Sequence, residues 1–349
     1  MGVPTEGIPS QGVHGKLWVA SALPFNATAA TCIPFQNESL TSAQTNYHPD
    51  NIRGSRSRPR ENRRAASVAV SGSITCCPSK TDLRFWLARI LGTAETGSGT
   101  TGAPWIYTLA ETIPEWQALI RRVLGSLDTN TREVFLAEGC VINSATFSAT
   151  QAGPLQLTLN VEAKRETPYA DGSITNGSID TGVVISSGSS VPTSDPPNES
   201  CFMLHDTGHA NGNMKLGGVD RAVFEWSLTI NNLLDTGRFM NSLYRTRIPS
   251  QGLDVQMSAT LGTTSAEDDL ENLSINSASP DMNDNEIRFY QELGTNDDVL
   301  SFLIGTWNVE NRTPALNGKG ERVLQLSGPV DAKYTSTAKR EVEARLWTT

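Results

Sequence analysis

The chain has 349 residues, a formal net charge of −9 and an apolar fraction of 38%, with 29 glycines and 18 prolines. That length can bury a sizeable core in one to three domains. The acidic balance excludes general nucleic-acid binding through a basic surface, and the lack of any run of about 18 apolar residues excludes a helical membrane span.

Residues 1–65 read as an irregular arm, rich in Pro, Asn, Thr and Ser, with one short apolar patch at Leu17–Ala22. Such a composition makes no core of its own. No basic stretch followed by an apolar run stands at the start, so no secretory leader is expected. The arm ends in RGSRSRPRENRR, with Arg53, Arg56, Arg58, Arg60, Arg63 and Arg64. Three readings of this run stay open: a latch onto acidic surface of a neighbouring copy, a solvated loop, or a nucleic-acid arm.

Ala66–Thr75 reads as a strand. The helix signal over 79–91 is stronger. Ser79 is a good N-cap, Asp82 stands where a capping box places its acid, and Leu83, Trp86, Leu87, Ile90 and Leu91 share one helical face. Gly92 suits the left-handed terminating position. Residues 92–103 read as a loop and Trp105–Leu109 as a short strand. PEWQALIRRVL at 114–124 fits either a helix opened by Pro114 or one strand of a hairpin turning at 128–131. Gly139–Arg165 reads as a two-strand ribbon.

Residues 167–200 are poor in large apolar groups and read as a linker between two halves. In RAVFEWSLTIN (221–231), Phe224, Trp226, Leu228 and Ile230 alternate with smaller or polar residues, as a half-buried strand requires. A strand at 253–261, a short helix at 266–273 and strands near 286–292, 299–309, 321–326 and 341–347 complete the pattern. The pair VINSATFSAT and LQLTLNVEA resembles the pair AVFEWSLTIN and LDVQMSATL, which suggests tandem β-domains. The expected division is an arm at 1–65, a first β-domain at 66–170, a linker at 171–210 and a second β-domain at 211–349.

No catalytic constellation emerges. The chain lacks G-x-S-x-G, a Gly-Lys-Ser/Thr phosphate loop and H-E-x-x-H. Cys201, His205 and His209 have ligand-type side chains, yet the surrounding Gly and Asn read as a loop and no fourth ligand is placed, so no metal and no cofactor are expected. Gly217 and Gly218 read as a turn. The five cysteines (Cys32, Cys76, Cys77, Cys140 and Cys201) are scattered and read as free thiols. The seven tryptophans read mostly as core, with Trp18 and Trp347 as candidate anchors of subunit contacts.

Four stretches, taken in order, resemble the major tail tube proteins of long, non-contractile-tailed bacteriophages. They are residues 38–75, with the arginine run and the strand SVAVSGSIT; TDLRFWLARILG at 81–92; EGCVINSATFSATQAGPLQLTLNVEAKRET at 138–167; and LGGVDRAVFEWSLTINNLL at 216–234. The resemblance implies a mainly β fold of two tandem β-sandwich or barrel domains with a flanking helix. It implies a structural virion protein, not an enzyme, assembled in the host cytoplasm. Its copies would stack in rings, trimeric with pseudo-six-fold symmetry or hexameric, into a hollow tube. DNA would pass through the bore without specific binding, and a tape measure protein and terminator or tip proteins would be partners. A receptor- or carbohydrate-binding β-sandwich at the tail tip is the alternative. No membrane insertion is expected.

Overall fold

A computed structural model describes residues 15–21, 25, 30–47, 63–123, 132–150, 153–170, 201–204, 214–221, 223–262, 281–292, 297–316, 322–331, 333–334 and 339–349. Within these, one helix lies among strands. The first half contains β1 (Lys16–Ala20), β2 (Thr31–Ile33), β3 (Asn37–Glu38), β4 (Thr41–Tyr47), β5 (Arg64–Cys76), α1 (Lys80–Leu91), β6 (Trp105–Thr108), β7 (Trp116–Val123), β8 (Arg132–Thr150), β9 (Gln156–Ala163) and β10 (Arg165–Ala170). The second half opens with β11 (Met214–Leu216), β12 (Val219–Asp220), β13 (Val223–Asn231), β14 (Asp254–Gly262), β15 (Asp281–Met282) and β16 (Asn285–Glu292). It closes with β17 (Asp297–Ile304), β18 (Thr306–Asn308), β19 (Asn311–Leu316), β20 (Arg322–Asp331), β21 (Lys333–Tyr334), β22 (Lys339–Arg340) and β23 (Val342–Thr348).

The main sheet runs β4-β5-β9-β8-β13-β14-β20-β19, and every neighbouring pair is antiparallel. It continues round a bend in β8. Residues 141–150 of that strand pair with β9 and β13, whereas residues 132–140 pair with β7 and β10. Gly139 makes the bend. Its φ is +58°, a left-handed conformation that any side chain would strain. The six-stranded sheet β12-β11-β16-β17-β23-β6 covers the apolar face of the main sheet. Phe147 and Trp226 from one sheet meet Phe302 and Phe289 from the other at ring separations of 4.8 and 5.4 Å. The result is a sandwich-like β fold, with no closed barrel among the described residues.

Alternation explains the layers. Leu157, Leu159 and Val161 of β9, Trp226, Leu228 and Ile230 of β13, and Val255, Met257, Ala259 and Leu261 of β14 are all buried. The residues between them face away. Helix α1 is held as its sequence predicts. The Ser79 hydroxyl and Asp82 form a reciprocal capping box, and Gly92 takes φ 91° and donates its N–H to the Ala88 carbonyl. Its buried face, with Trp86 against Trp116 at 5.2 Å, closes one end of the core.

Several expectations change. Residues 116–123 are a strand, not a helix, because β1 and β8 pair with it on both sides. The N-terminal arm is more ordered than its composition suggests. Leu17, Trp18, Val19 and Ala20 are buried in β1, so Trp18 is core and not a subunit anchor. Residues 167–170 continue β10 along β8 and do not belong to a linker. The expected helix at 266–273 lies outside the described residues, as do 171–200.

Candidate assembly surface

Among the described residues two features of the main sheet are left largely open: its outward polar side, apart from one loop that crosses it, and its two edge strands. The outward side is built from short polar residues in register. Thr75, Thr158, Thr146, Thr229 and Gln256 form one row across five strands. Ser148, Ser227, Ser258 and Ser327 form another. Neighbouring hydroxyls meet directly, Thr146 with Thr229 at 3.0 Å and Ser227 with Ser258 at 2.8 Å. The Asn160 amide donates to the Ser144 hydroxyl at 2.7 Å. Such ladders satisfy one another and line these rows with hydroxyl and amide groups.

The strands of this side carry acids. Glu162, Glu225, Asp254 and Asp331 occupy outward positions, while no Lys or Arg does so on β9, β13 or β14 among the described residues. Glu162 is bound by Arg245, which reaches over from the loop between β13 and β14. Arg245 is buried and also donates to the Val70 carbonyl at 3.2 Å. The same loop sets Tyr244 beside Val68 and under the Arg165 guanidinium. It therefore straps the second half of the chain onto the first strands of the sheet.

Strand β4 is one edge. Among the described residues it pairs only with β5, and Thr41, Ser42, Ala43, Gln44, Thr45 and Tyr47 are exposed. Its backbone alternates between the two sides. Ser39 N–H bonds the Ser73 carbonyl, so Leu40, Ser42 and Gln44 turn their N–H and C=O groups to the open side. At Leu40 both groups are already bonded, the N–H to the Glu38 carboxylate and the carbonyl by Arg122. Arg122 also pairs with Glu38 at 2.9 Å. Strand β19 is the opposite edge and, among the described residues, pairs only with β20.

Of the arginine run, Arg63 and Arg64 are exposed at the start of β5, with Arg64 opposite Tyr47. Arg53, Arg56, Arg58 and Arg60 lie outside the described residues. Gly217 and Gly218 form the turn between β11 and β12, both at positive φ. Cys201 touches Cys77 and both are free thiols, while His205 and His209 lie outside the described residues. Among the described residues no cluster of His, Cys, Asp or Glu has the makings of a metal site.

A polar, hydroxyl-lined sheet with two unlike edges, both open among the described residues, is suited to pairing with further strands. A family model described as phage tail tube protein matches residues 6–335. The chain belongs to the phage tail tube protein family. Members are structural proteins of the virion tail, not enzymes, and assemble with copies of themselves into a tube. A search of the curated proteins finds no match. Sequence reasoning found this family through the order of its strands and helix. It missed the strap around Arg245, whose only sequence signal is an arginine-bearing loop between two alternating strands.

Proposed function

We propose that this chain forms rings that stack into the hollow tail tube, with three copies per ring, and that DNA passes through the bore on its way to the host. The observation that carries the reading is the strand order of the main sheet. Its first four strands, β4-β5-β9-β8, follow the chain-order pattern first, second, fourth, third. The next four, β13-β14-β20-β19, follow the same pattern and run in the same directions. The chain is thus read as two tandem repeats side by side, each contributing four strands. Three copies supply six repeats.

Closure through the free edges removes both of them at once. Closed sheets of about 16–18 strands already leave an aqueous channel, and eight strands from each of three copies exceed that. The polar side faces the bore in this reading. Its hydroxyls carry no fixed cation to trap phosphate, and Glu225, Asp254 and Asp331 repel it, so nucleic acid slides without sticking. Arg53, Arg56, Arg58, Arg60, Arg63 and Arg64 sit in or beside the connection from β4 to β5. The corresponding connection from β13 to β14 delivers Arg245 onto Glu162 and the carbonyls of β5, and we assign the arginine run a similar latching role between copies. A tape measure protein inside the tube and terminator and tip proteins at its ends are the further partners of this reading.

The test is electron microscopy of the purified full chain, alone and with an initiating tail-tip complex. Hollow filaments of constant diameter with three-fold rings are expected. A protein that stays monomeric at high concentration and is absent from virion tails would refute the proposal.

A further inference from the structure

The edge of one copy is complementary to the far edge of the next, and we infer that β4 pairs antiparallel with β19 of a second copy in one register, with Thr41 opposite Thr313. This rests on the ring reading above and adds to it the strands and the register that close the ring.

The register follows from the sheet itself. In the first half, β8 and β9 pair with Thr146 opposite Thr158, and a one-residue slip precedes Ser144. In the second half, β19 and β20 pair with Thr313 opposite Gln325. A one-residue slip separates that register from Trp307 opposite Val330. Both strands of the hairpin and the slip therefore recur at one constant spacing along the chain, which equates Thr146 with Thr313 and Thr158 with Gln325. Across the next ladder, Thr158 faces Thr75 and Gln325 faces Thr260. Four residues back along each strand, Ser71 faces Thr41 and Gln256 faces Thr229. Thr41 thus stands where Thr229 stands. Thr229 faces Thr146 at the junction between the two halves, so Thr41 faces the equivalent of Thr146, which is Thr313.

Hydrogen bonding supports the match. At the internal junction the even-numbered residues of β13 bond to β8, as Asn232 N–H does to the Asn143 carbonyl. Leu228 is the next but one before Ile230 and faces Phe147. The same derivation sets Leu40 against Pro314. Proline has no N–H to offer, and the carbonyl of Leu40 needs none, because Arg122 already donates to it. The bonded pair then falls at Ser42 and Arg312, whose backbone groups have no bonded partner among the described residues, and Thr41 with Thr313 is a non-hydrogen-bonded pair with closely spaced Cα atoms. The directions also agree. β4 runs with β13 and β19 runs with β8, so the contact between copies is antiparallel like the one inside the chain.

Cysteine pairing tests the register in the full chain. Non-hydrogen-bonded antiparallel pairs come within disulfide reach. Thr41→Cys and Thr313→Cys are combined in one chain, assembled into tubes, oxidised and run on a non-reducing gel. Covalent dimers and trimers are expected at a yield at least tenfold above either single variant. The same excess is expected over the offset pairs Thr41→Cys with Asn311→Cys and Thr41→Cys with Ala315→Cys. An offset pair that links as well, or a main pair no better than the singles in tubes that still form, overturns the register and leaves the tube reading standing. A wild-type chain that makes no tubes overturns both. Hydrogen exchange on the wild-type chain needs no substitution. The Ser42 and Gln44 amides are expected to exchange at least tenfold more slowly in tubes than in free subunits, and equal rates overturn the pairing.

Discussion

Gly72 is the position where a single methyl group should separate folding from assembly. It lies in β5 beneath the link between β3 and β4. A Cβ built there would stand 2.5 Å from the Ser39 carbonyl oxygen and 2.6 Å from the Leu40 nitrogen and Cα. These are backbone atoms, so no side-chain rotation relieves the overlap, and the link must retreat by about 1 Å to reach ordinary contact distances. Three bonds depend on its present place. Ser39 N–H bonds the Ser73 carbonyl at 3.0 Å, Ser73 N–H bonds the Ser39 hydroxyl at 2.9 Å, and the two hydroxyls meet at 3.0 Å. At about 1 kcal/mol each they amount to about 3 kcal/mol. Leu40 is fully buried, and exposing it costs about 1.5–3 kcal/mol more. The sheet limits this loss by releasing β3 and β4, which lie at its edge, while β5 stays paired with β9. Gly72→Ala should therefore keep the helix and the core, lose exchange protection in residues 37–47 and fail to form tubes. Gly102→Ala is the control, since nothing lies within 4 Å of its Cβ position. Hydrogen exchange by mass spectrometry, guanidinium unfolding and negative-stain microscopy read the three outcomes. A Gly72→Ala protein with wild-type protection at 37–47 and normal tubes would refute the account of this edge.

Other consequences are more local. Burial holds the Glu138 carboxyl above the usual glutamate range, with Arg165 only partly offsetting it. Its folded pKa exceeds its unfolded one, so its ionisation removes stability as pH rises above about 4.3. Glu138→Gln should raise the melting temperature at pH 7, by on the order of 1 kcal/mol in stability, with no gain below about pH 4; an equal gain at both pH values would show that charge is not the cause. Burial and the neighbouring Cys201 push the Cys77 thiol up to about 11, and burial raises Cys201 as well. Cys77 should react with iodoacetamide at pH 8 at least tenfold more slowly than a free thiol of pKa about 8.5, and Cys201 more slowly as well, and labelling at the free-thiol rate would contradict that. Replacing Arg56, Arg58 and Arg60 with Ser should weaken tube assembly and flatten its salt dependence, followed by light scattering across a sodium chloride series. An unchanged curve would make those arginines bystanders.

What the sequence made legible was local or periodic. Ser79, Asp82 and Gly92 announce both ends of α1 because capping is decided within a few residues. The alternation in VFEWSLTIN shows which side of β13 is buried for the same reason. Residues 116–123 were ambiguous because their apolar spacing suits both periods. Only the long-range ladders to β1 and β8 decide for a strand. β1 and β2 were missed since strands of five and three residues are too short to show a period. The assembly surface was the least legible part. The likeness between VINSATFSAT and AVFEWSLTIN connects β8 with β13, yet these two strands lie side by side. The strand order instead sets β13 over β4, whose sequence TSAQTNY has none of the large apolar residues of β13. An edge strand and an interior strand face different neighbours, so side chains diverge while pairing and direction persist.

That divergence bears on how such edges stay apart before assembly. A free strand edge invites pairing with any other, and indiscriminate pairing leads to aggregates. Here the two edges are unlike. Two β4 edges brought together antiparallel would set Leu40, whose backbone groups Glu38 and Arg122 already bond, against an identical strand without a compensating proline. Two β19 edges would each present Pro314, which offers no donor. Only β4 against β19 aligns the occupied carbonyl with the missing N–H. A heterologous contact of this kind closes into a ring when its rotation divides the circle, and otherwise runs on as a helix. If the junction between copies has the geometry of the β8–β13 junction within one copy, every step around the sheet turns by the same angle. The repeat proposed within the chain would then set the curvature of the proposed ring, and its closure would depend on a junction already folded into every subunit.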